Sequence, residues 1–348
     1  MCESIKRIND LTNTNMKKIA TFLSFVALSA AMSMMFAQTV VVKLKPDDSF
    51  RNGAIVRTME YNLSLVLTEI NNAQRDNRQL NMMTLPMNEF SKKTLAMLWK
   101  NIHFYCDDEF VVERLWNFND GYMARQIPLI ITPQGEEFGS GTFQEAVVEF
   151  DKSGTIRDFR FALDATVGES MEKCGEGVTE IERRMQILAY CDRFRTAYNT
   201  KDIKFLEQVF SEDALIITGT VVTPKKSDFP QPKIRYKKQN KTQYLNNLRA
   251  AFKKNKWIDV RFFKIGDQGV DDGCMVVTRS TENPNIYGVR LRQEWHSSSY
   301  SDEGYVFLLW DFTDEVHPVI HVRTWQPEYV GTDKISEDEI FSLSDFLK

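Results

Sequence analysis

Hydrophobic positions along the chain keep two different periods, and the switch between them divides it. Ile55, Met59, Leu63, Val66 and Ile70 recur at three and four residues, which predicts an amphipathic helix over 54–75. Phe90, Leu95 and Leu98 predict a second helix over 88–100 with those three side chains inward. The period then falls to two. "FVVERLWNF" and "YMARQIPLIITP" flank "NDG", and "TFQEAVVEF" and "TIRDFRFAL" flank "DKSG", so each pair reads as a β-hairpin. After the polar, glycine-containing stretch "TVGESMEKCGEGVTE" the order begins again. Ile181, Met185, Leu188, Cys191, Phe194 and Tyr198 form one helical stripe, and Asp202 is placed to cap a short helix over 203–210. "ALIITG" is a strand, 220–241 is a Pro- and Lys-rich insertion, and Tyr244, Leu245, Leu248 and Phe252 mark a third helix. Strands follow near 257–265, 274–280, 286–296, 304–312 and 319–325.

Helices ahead of antiparallel strands, twice over, predict an α+β protein. The expected organisation is a lead-in over 38–52, an amino-terminal α+β domain over 53–166, a linker over 167–179, a carboxy-terminal domain over 180–330 and an acidic tail over 331–348. Ahead of these, Lys17 and Lys18 precede the apolar run 19–31, and Ala37 follows as a small residue near a cleavage point. That is the layout of a signal peptide in 1–37, with Met16 as the start, so the protein is expected to be exported, periplasmic or extracellular, with no stable membrane span afterwards.

At 348 residues and 43% hydrophobic content the chain has enough apolar material for two packed cores. The net charge of −4 does not direct the whole chain to nucleic acid, which is not an expected partner. The exception is local. In 225–264 thirteen Lys and Arg face only Asp228 and Asp259, and Lys225, Lys226, Lys233, Arg235, Lys237, Lys238, Lys253 and Lys254 form a candidate polyanion patch. The tail, with five acidic residues and with Phe341, Leu343, Phe346 and Leu347 as anchors, is a candidate to dock on it. Cys106, Cys174, Cys191 and Cys274 are scattered, so buried thiols and disulfides both remain open.

"YCDRFRTAYN", "TKD", "FLEQVF" and "SEDALI", with "YLNNLRAAFKKNKWIDVRF" and the closing "HVRTWQP", resemble the nuclear transport factor 2-like superfamily, which includes SnoaL-like proteins and ketosteroid isomerases. The resemblance covers 178–328, and the amino-terminal half follows it only in element order. It implies tandem cones of the cystatin-like, nuclear transport factor 2-like kind, each a curved antiparallel sheet around helices, with an apolar pocket. Such folds serve as isomerases, dehydratases, ligand binders and interaction modules, so the fold does not choose among them.

Within that frame, Tyr190, Phe194, Tyr198, Tyr244, Leu248, Trp295, His321, Arg323 and Trp325 are the expected pocket residues, His321, Arg323 and Trp325 because strand alternation puts them on one face. Asp213, Asp311 and His321 are the candidates for acid–base work, and Asp311 with Arg323 is an expected cross-strand ion pair. His317 and His321 lie four apart beside Pro318 in a strand pattern, so no metal site is expected, and no cofactor motif is present. The reading is a non-catalytic binding or interaction protein, able to form a homodimer through the outer sheet face. The alternatives are an isomerase or dehydratase, and a surface adaptor for acidic polymers. Trp257, Trp295 and Trp310 either fill the core or cover a contact.

Overall fold

A computed structural model describes residues 39–46, 50, 52–118, 120–132, 143–173, 181–223, 231–265 and 276–347. The signal-peptide expectation for 1–37, Lys225, Lys226, Cys174 and Cys274 lie outside the described residues.

The amino-terminal half is a six-stranded sheet with two helices against it. Strands β1 (Val41–Pro46), β3 (Phe110–Phe118), β4 (Gly121–Thr132), β5 (Phe143–Asp151) and β6 (Ile156–Phe161) are neighbours in the order β1-β3-β4-β5-β6, and β2 (His103–Tyr105) pairs with β4. Helix α1 (Gly53–Arg75) begins where the Asn52 side chain accepts from the Ala54 and Ile55 amides, and α2 (Glu89–Asn101) where Asn88 accepts from Ser91 at 2.7 Å. Both predicted hairpins form. Gly121 is required at the first, because a Cβ there would stand 2.0 Å from the Phe150 carbonyl oxygen.

Two expectations fail here. The lead-in over 38–52 contains a strand: β1 runs parallel to β3 and buries Val40, Val42 and Leu44. Phe90 is not inward but 59% exposed, because the buried stripe of α2 runs through Ser91, Leu95, Leu98 and Trp99, and a step of about 100° per residue carries Phe90 off that face.

The carboxy-terminal half carries α4 (Ile181–Asn199), α5 (Ile203–Val209) and α6 (Lys241–Lys254), and is preceded by α3 (Ala165–Lys173), which occupies the first part of the expected linker. Asp202 caps α5 as predicted, accepting from the Phe205 amide at 3.1 Å. A capping box between Asn240 and Gln243 starts α6. Strands β7 (Phe210–Val222), β8 (Lys233–Asn240), β9 (Ile258–Phe263), β10 (Val277–Arg279), β11 (Ile286–Ser297), β12 (Tyr300–Asp311) and β13 (Val319–Pro327) form the second sheet in the order β10-β11-β12-β13-β7-β8, with β9 on β11. The expected insertion thus yields an edge strand, β8, paired antiparallel to β7. Each sheet contains one parallel pair, β1 with β3 and β13 with β7.

This is the α+β, helix-and-curved-sheet architecture expected of the chain. One large apolar cluster joins α1 and α2 to the first sheet and takes in Trp257. The other joins α4, α5 and α6 to the second sheet and takes in Trp310. Residues Val40–Lys348 form one compact unit. Helix α4 explains why. It is buried on more than one side: its apolar residues face the second sheet, while its polar side meets the first half. Asp192 accepts from the Leu163 amide at 2.6 Å and pairs with Arg125 at 2.6 Å, and the Thr196 hydroxyl donates to the Phe161 carbonyl at 3.2 Å. Beside this helix, Glu149 is enclosed by Arg157, Arg160 and Arg193. Desolvation would raise its pKa, but these guanidinium groups outweigh it and hold the carboxyl below its usual range.

The tail meets the basic segment through apolar and aromatic contacts on β8: Phe341 lies 5.3 Å from the Tyr236 ring, and Ile335 and Ile340 cluster with Ile234. Tyr329–Val330 pairs with Asp333–Lys334, and the chain then lies across the outer face of the second sheet. Phe341, Leu343, Phe346 and Leu347 pack on Leu215, Ile286, Phe307, Leu309 and Val322, with Phe346 stacked on Phe307 at 5.4 Å. Its own tail therefore covers this part of the face expected to mediate association.

Candidate functional site

Alternation along the curved sheet sends Gln293 and Trp295 of β11, Tyr300 and Asp302 of β12, and Arg323 and Trp325 of β13 to the concave side, where α6 delivers Tyr244. Together with Thr218–Val221 of β7 and Pro327 they line a cleft of about 400 Å³ at the mouth of the cone. Gly304 of β12 keeps the sheet closed behind it, since a Cβ would stand 2.1 Å from the Gln326 carbonyl oxygen.

Arg323 is the centre of this cleft. Its guanidinium lies 5.9 Å from the ring of Tyr198 and 5.4 Å from that of Tyr244, and donates to Gln293 Oε1 at 3.2 Å. The two tyrosine hydroxyls share a hydrogen bond of 2.8 Å. Burial pushes the Tyr198 phenol well up, with the Arg323 charge opposing, so the hydroxyl stays neutral. Two buried donors have no hydrogen-bond partner among the described residues: Arg323 Nε and the indole Nε1 of Trp325. Asp302 stands in the same cleft. Burial raises its pKa, against the Tyr300 hydroxyl and the charge of Arg323. Tyr300 is itself pushed up to about 12, by burial first and then by the neighbouring carboxylate.

Four of the nine expected pocket residues line this cleft: Tyr244, Trp295, Arg323 and Trp325. Tyr198 lies directly behind it. Phe194 and Leu248 belong to the filled core, and Tyr190 sits midway along α4, where its hydroxyl donates to the Val316 carbonyl at 2.8 Å. Gln293, Tyr300 and Asp302 were missed. "SSSYSDEGY" reads as a turn, yet β12 already starts at Tyr300, and the only available signal was that Asp302 keeps the parity of Val306, Leu308 and Trp310.

His321 is not on the cleft face. Ile320 pairs with Trp310 and Val322 with Leu309, so His321 is the extra residue of a β-bulge and alternation breaks there. Its ring turns to the outer side, with Nε2 3.2 Å from Asp311 Oδ2 and Nδ1 3.5 Å from Asp213 Oδ1. The three acid–base candidates therefore do meet, but outside the cone, with the Asp213 side chain 84% exposed. Asp213 is held below its usual range first by the Ser211 hydroxyl. Asp311 also ends below it: burial pulls up, but Thr313 and His321 outweigh that. The expected Asp311–Arg323 pair does not exist, because Asp311 is opposite Val319 and Arg323 opposite Leu308.

The basic residues fall into two groups. Lys233, Arg235, Lys237 and Lys238 lie along the edge strand β8, and Lys253 and Lys254 end α6, roughly 20 Å along the helix from its start. Between them Lys241 pairs with Glu212 and Arg249 with Glu207. Cys106 and Cys191 are free and buried. Among the described residues no group of three His, Cys, Asp or Glu is placed to hold a metal ion, and no helix is long and apolar enough to cross a membrane.

No family model and no curated protein matches the chain. Many solved structures similar to it are nuclear transport factor 2-like or SnoaL-like, over about 40–50% of the chain. A nuclear transport factor 2-like protein of unknown function from Shewanella oneidensis shares 14% identity over 41% of this chain and 98% of its own, with a TM-score of 0.28. Bd1075 of Bdellovibrio bacteriovorus shares 14% over 42% of this chain and 41% of its own, with a TM-score of 0.30. A naphthalene 1,2-dioxygenase chain shares 7% over 50% of this chain and 93% of its own, with a TM-score of 0.34. At these values the likenesses assign no activity, and the fold rests on the chain's own strand order.

Proposed function

We propose that the cleft at the mouth of the carboxy-terminal cone binds a small amphipathic molecule without turning it over, and that the protein does so after export. The observation that carries this is the pair of buried donors without partners among the described residues, Arg323 Nε and Trp325 Nε1, in a cleft walled by indole and phenol rings. A buried donor left unpaired costs about 1–3 kcal/mol, which an acceptor on a ligand would recover. A carbonyl, hydroxyl or carboxylate end directed at Arg323, with an apolar body between Trp295 and Trp325, satisfies both the donors and the walls. Export is supported by Lys17, Lys18 and the apolar run 19–31.

The non-catalytic reading is preferred because the acid–base trio Asp213, His321 and Asp311 meets outside the cone, away from these donors. Inside the cleft Asp302 is the carboxylate available for proton transfer. Native mass spectrometry of protein purified from its own host would test the proposal. A retained small molecule, released by Arg323→Ala and kept by Asp302→Asn, is the expected result. A wild-type spectrum identical in mass to the bare chain, together with no heat on titration with amphipathic carboxylates and ketones, would overturn it.

A further inference from the structure

A second cleft, of about 260 Å³, lies where the two sheets approach each other around α4. Gln144 and Glu145 enter it from β5, Leu163 and Asp164 from the segment after β6, Arg195 from α4, and Phe262 and Phe263 from β9. The halves are joined here through the backbone: the Asp164 amide donates to the Phe262 carbonyl at 3.4 Å.

Arg195 is 1% exposed, and its guanidinium is only half used. Nη1 donates to Gln144 Oε1 at 3.0 Å and to the Val260 carbonyl at 3.4 Å, while Nε and Nη2 are buried with no partner among the described residues. A guanidinium presents donors in a planar fork that matches a carboxylate, and a desolvated, half-satisfied one is costly. Burial lowers its pKa to about 10, and the charges of Asp192 and Asp259 offset that only in part. Across the same cleft Glu145 makes no ion pair among the described residues, and burial pushes its carboxyl up to about 7 despite the charge of Arg125. Arg195 and Glu145 thus open on one small space without pairing with each other; Asp164 and Arg261 also line it, Arg261 paired with Asp259 at 2.8 Å, and Leu163, Phe262 and Phe263 supply apolar wall.

We infer that this cleft is a binding site for a compact zwitterion, with a carboxylate received by the Arg195 fork, an ammonium received by Glu145, and a short apolar body against Leu163, Phe262 and Phe263. The chemistry is that of a free amino acid with an aliphatic side chain. A simple anion would satisfy Arg195 but bring like charge towards Glu145 and Asp164. A simple amine would satisfy Glu145 and leave Arg195 as it is. The volume admits a compact molecule and excludes a long chain. The site is separate from the Arg323 cleft, which shares no lining residue with it.

The test is calorimetric titration of the full chain at neutral pH with three probes of one shape: L-leucine, 4-methylpentanoate and 3-methylbutylamine. L-Leucine is expected to bind saturably, and each singly charged probe at least about tenfold more weakly, since each leaves one of the two groups unpaired. Glu145 is only partly buried, so Glu145→Gln should fold. It is expected to weaken L-leucine about tenfold while leaving 4-methylpentanoate unchanged or tighter. Arg195→Met should abolish L-leucine binding; if that variant does not fold, the Glu145→Gln comparison decides. Trp295→Ala, in the other cleft, should leave L-leucine unaffected. Equal affinity for 4-methylpentanoate and L-leucine would overturn the inference in favour of a plain anion site. Absence of heat with all three at millimolar concentration would overturn it in favour of a water-filled cleft.

Discussion

Asp302 and Asp311 lie on one strand, β12, yet their pKa values move in opposite directions. Asp302 faces the hollow of the cone, where burial raises it. Asp311 faces outward, where hydrogen bonds from Thr313 and His321 hold it down. The same contrast holds for their neighbours on β13. Arg323 is buried against two tyrosine rings, and His321, two residues earlier, is a third exposed at its side chain and pairs only with carboxylates on the outside. The difference is made by strand parity and one bulge, and it teaches that chemistry on a curved sheet is decided by face before residue type. A titratable trio on the convex side has solvent and a covering tail around it. A single arginine on the concave side has a cavity.

The largest expected effect tests the inner face. Arg323→Ala removes both ring contacts and the Gln293 hydrogen bond, and takes away the positive charge that opposes burial at Asp302. Equilibrium unfolding in urea should show a loss of about 3 kcal/mol. A loss below about 1 kcal/mol would mean that Arg323 is already hydrated and that the cleft is not a built site. The next tests the outer face through its cover. Phe346→Ala removes the ring stacked on Phe307 and should cost about 2 kcal/mol, less than a fully enclosed phenylalanine because the tail side chain is only partly buried. If sedimentation then shows a dimer where the parent chain is monomeric, the tail competes with a second copy for that face.

A smaller pair of effects separates the faces by sign. Asp302 has a folded pKa above its unfolded value of 3.8, so the native state holds the proton longer. Stability therefore falls as pH rises from the unfolded value through the folded one, and the penalty is complete above it. Asp302→Asn removes that penalty and should raise the thermal midpoint at pH 7. Asp311 has a folded pKa below 3.8, so its contribution is present above the unfolded value and is lost as pH falls through the folded one. Asp311→Asn should lower the midpoint at pH 7 and have no effect well below pH 3.8. Thermal melts at both pH values check the two together, and shifts of the same sign would dissolve the distinction between the faces.

How far this was legible from sequence follows from the same geometry. Strand β13, its partners and the placement of Arg323, Trp325, Tyr244 and Trp295 along one cleft could be read, because alternation and aromatic placement are local properties. The bulge at His321 could not, because it arises from matching β13 to β12 and β7 at once. Asp302 was hidden by a serine-rich run that resembles a turn. Strand β1 was visible as alternating Val40, Val42 and Leu44, but its parallel partner begins at Phe110, too far along the chain for a local pattern to announce. Helix α4 shows the opposite error. Asp192 and Arg195 look like a solvent face when the helix is read alone, and they become buried only because a second half packs there.

The smallest prediction concerns His321, which the sequence made a candidate twice over, as pocket donor and as acid–base group. Its position on the bulge gives it two carboxylate partners, one of them 84% exposed at the side chain. Exposed pairs of this kind contribute about 0–1 kcal/mol, because water screens them and the side chains lose freedom in forming them. His321→Ala should therefore change unfolding stability by no more than about 0.5 kcal/mol, and should leave retention of any molecule carried in the Arg323 cleft unaltered. The second clause is the stricter one. If His321→Ala releases the carried molecule while the stability holds, the outer trio communicates with the hollow through the bulge. Strand parity would then not separate the two faces, and the acid–base reading of Asp213, Asp311 and His321 would regain its force.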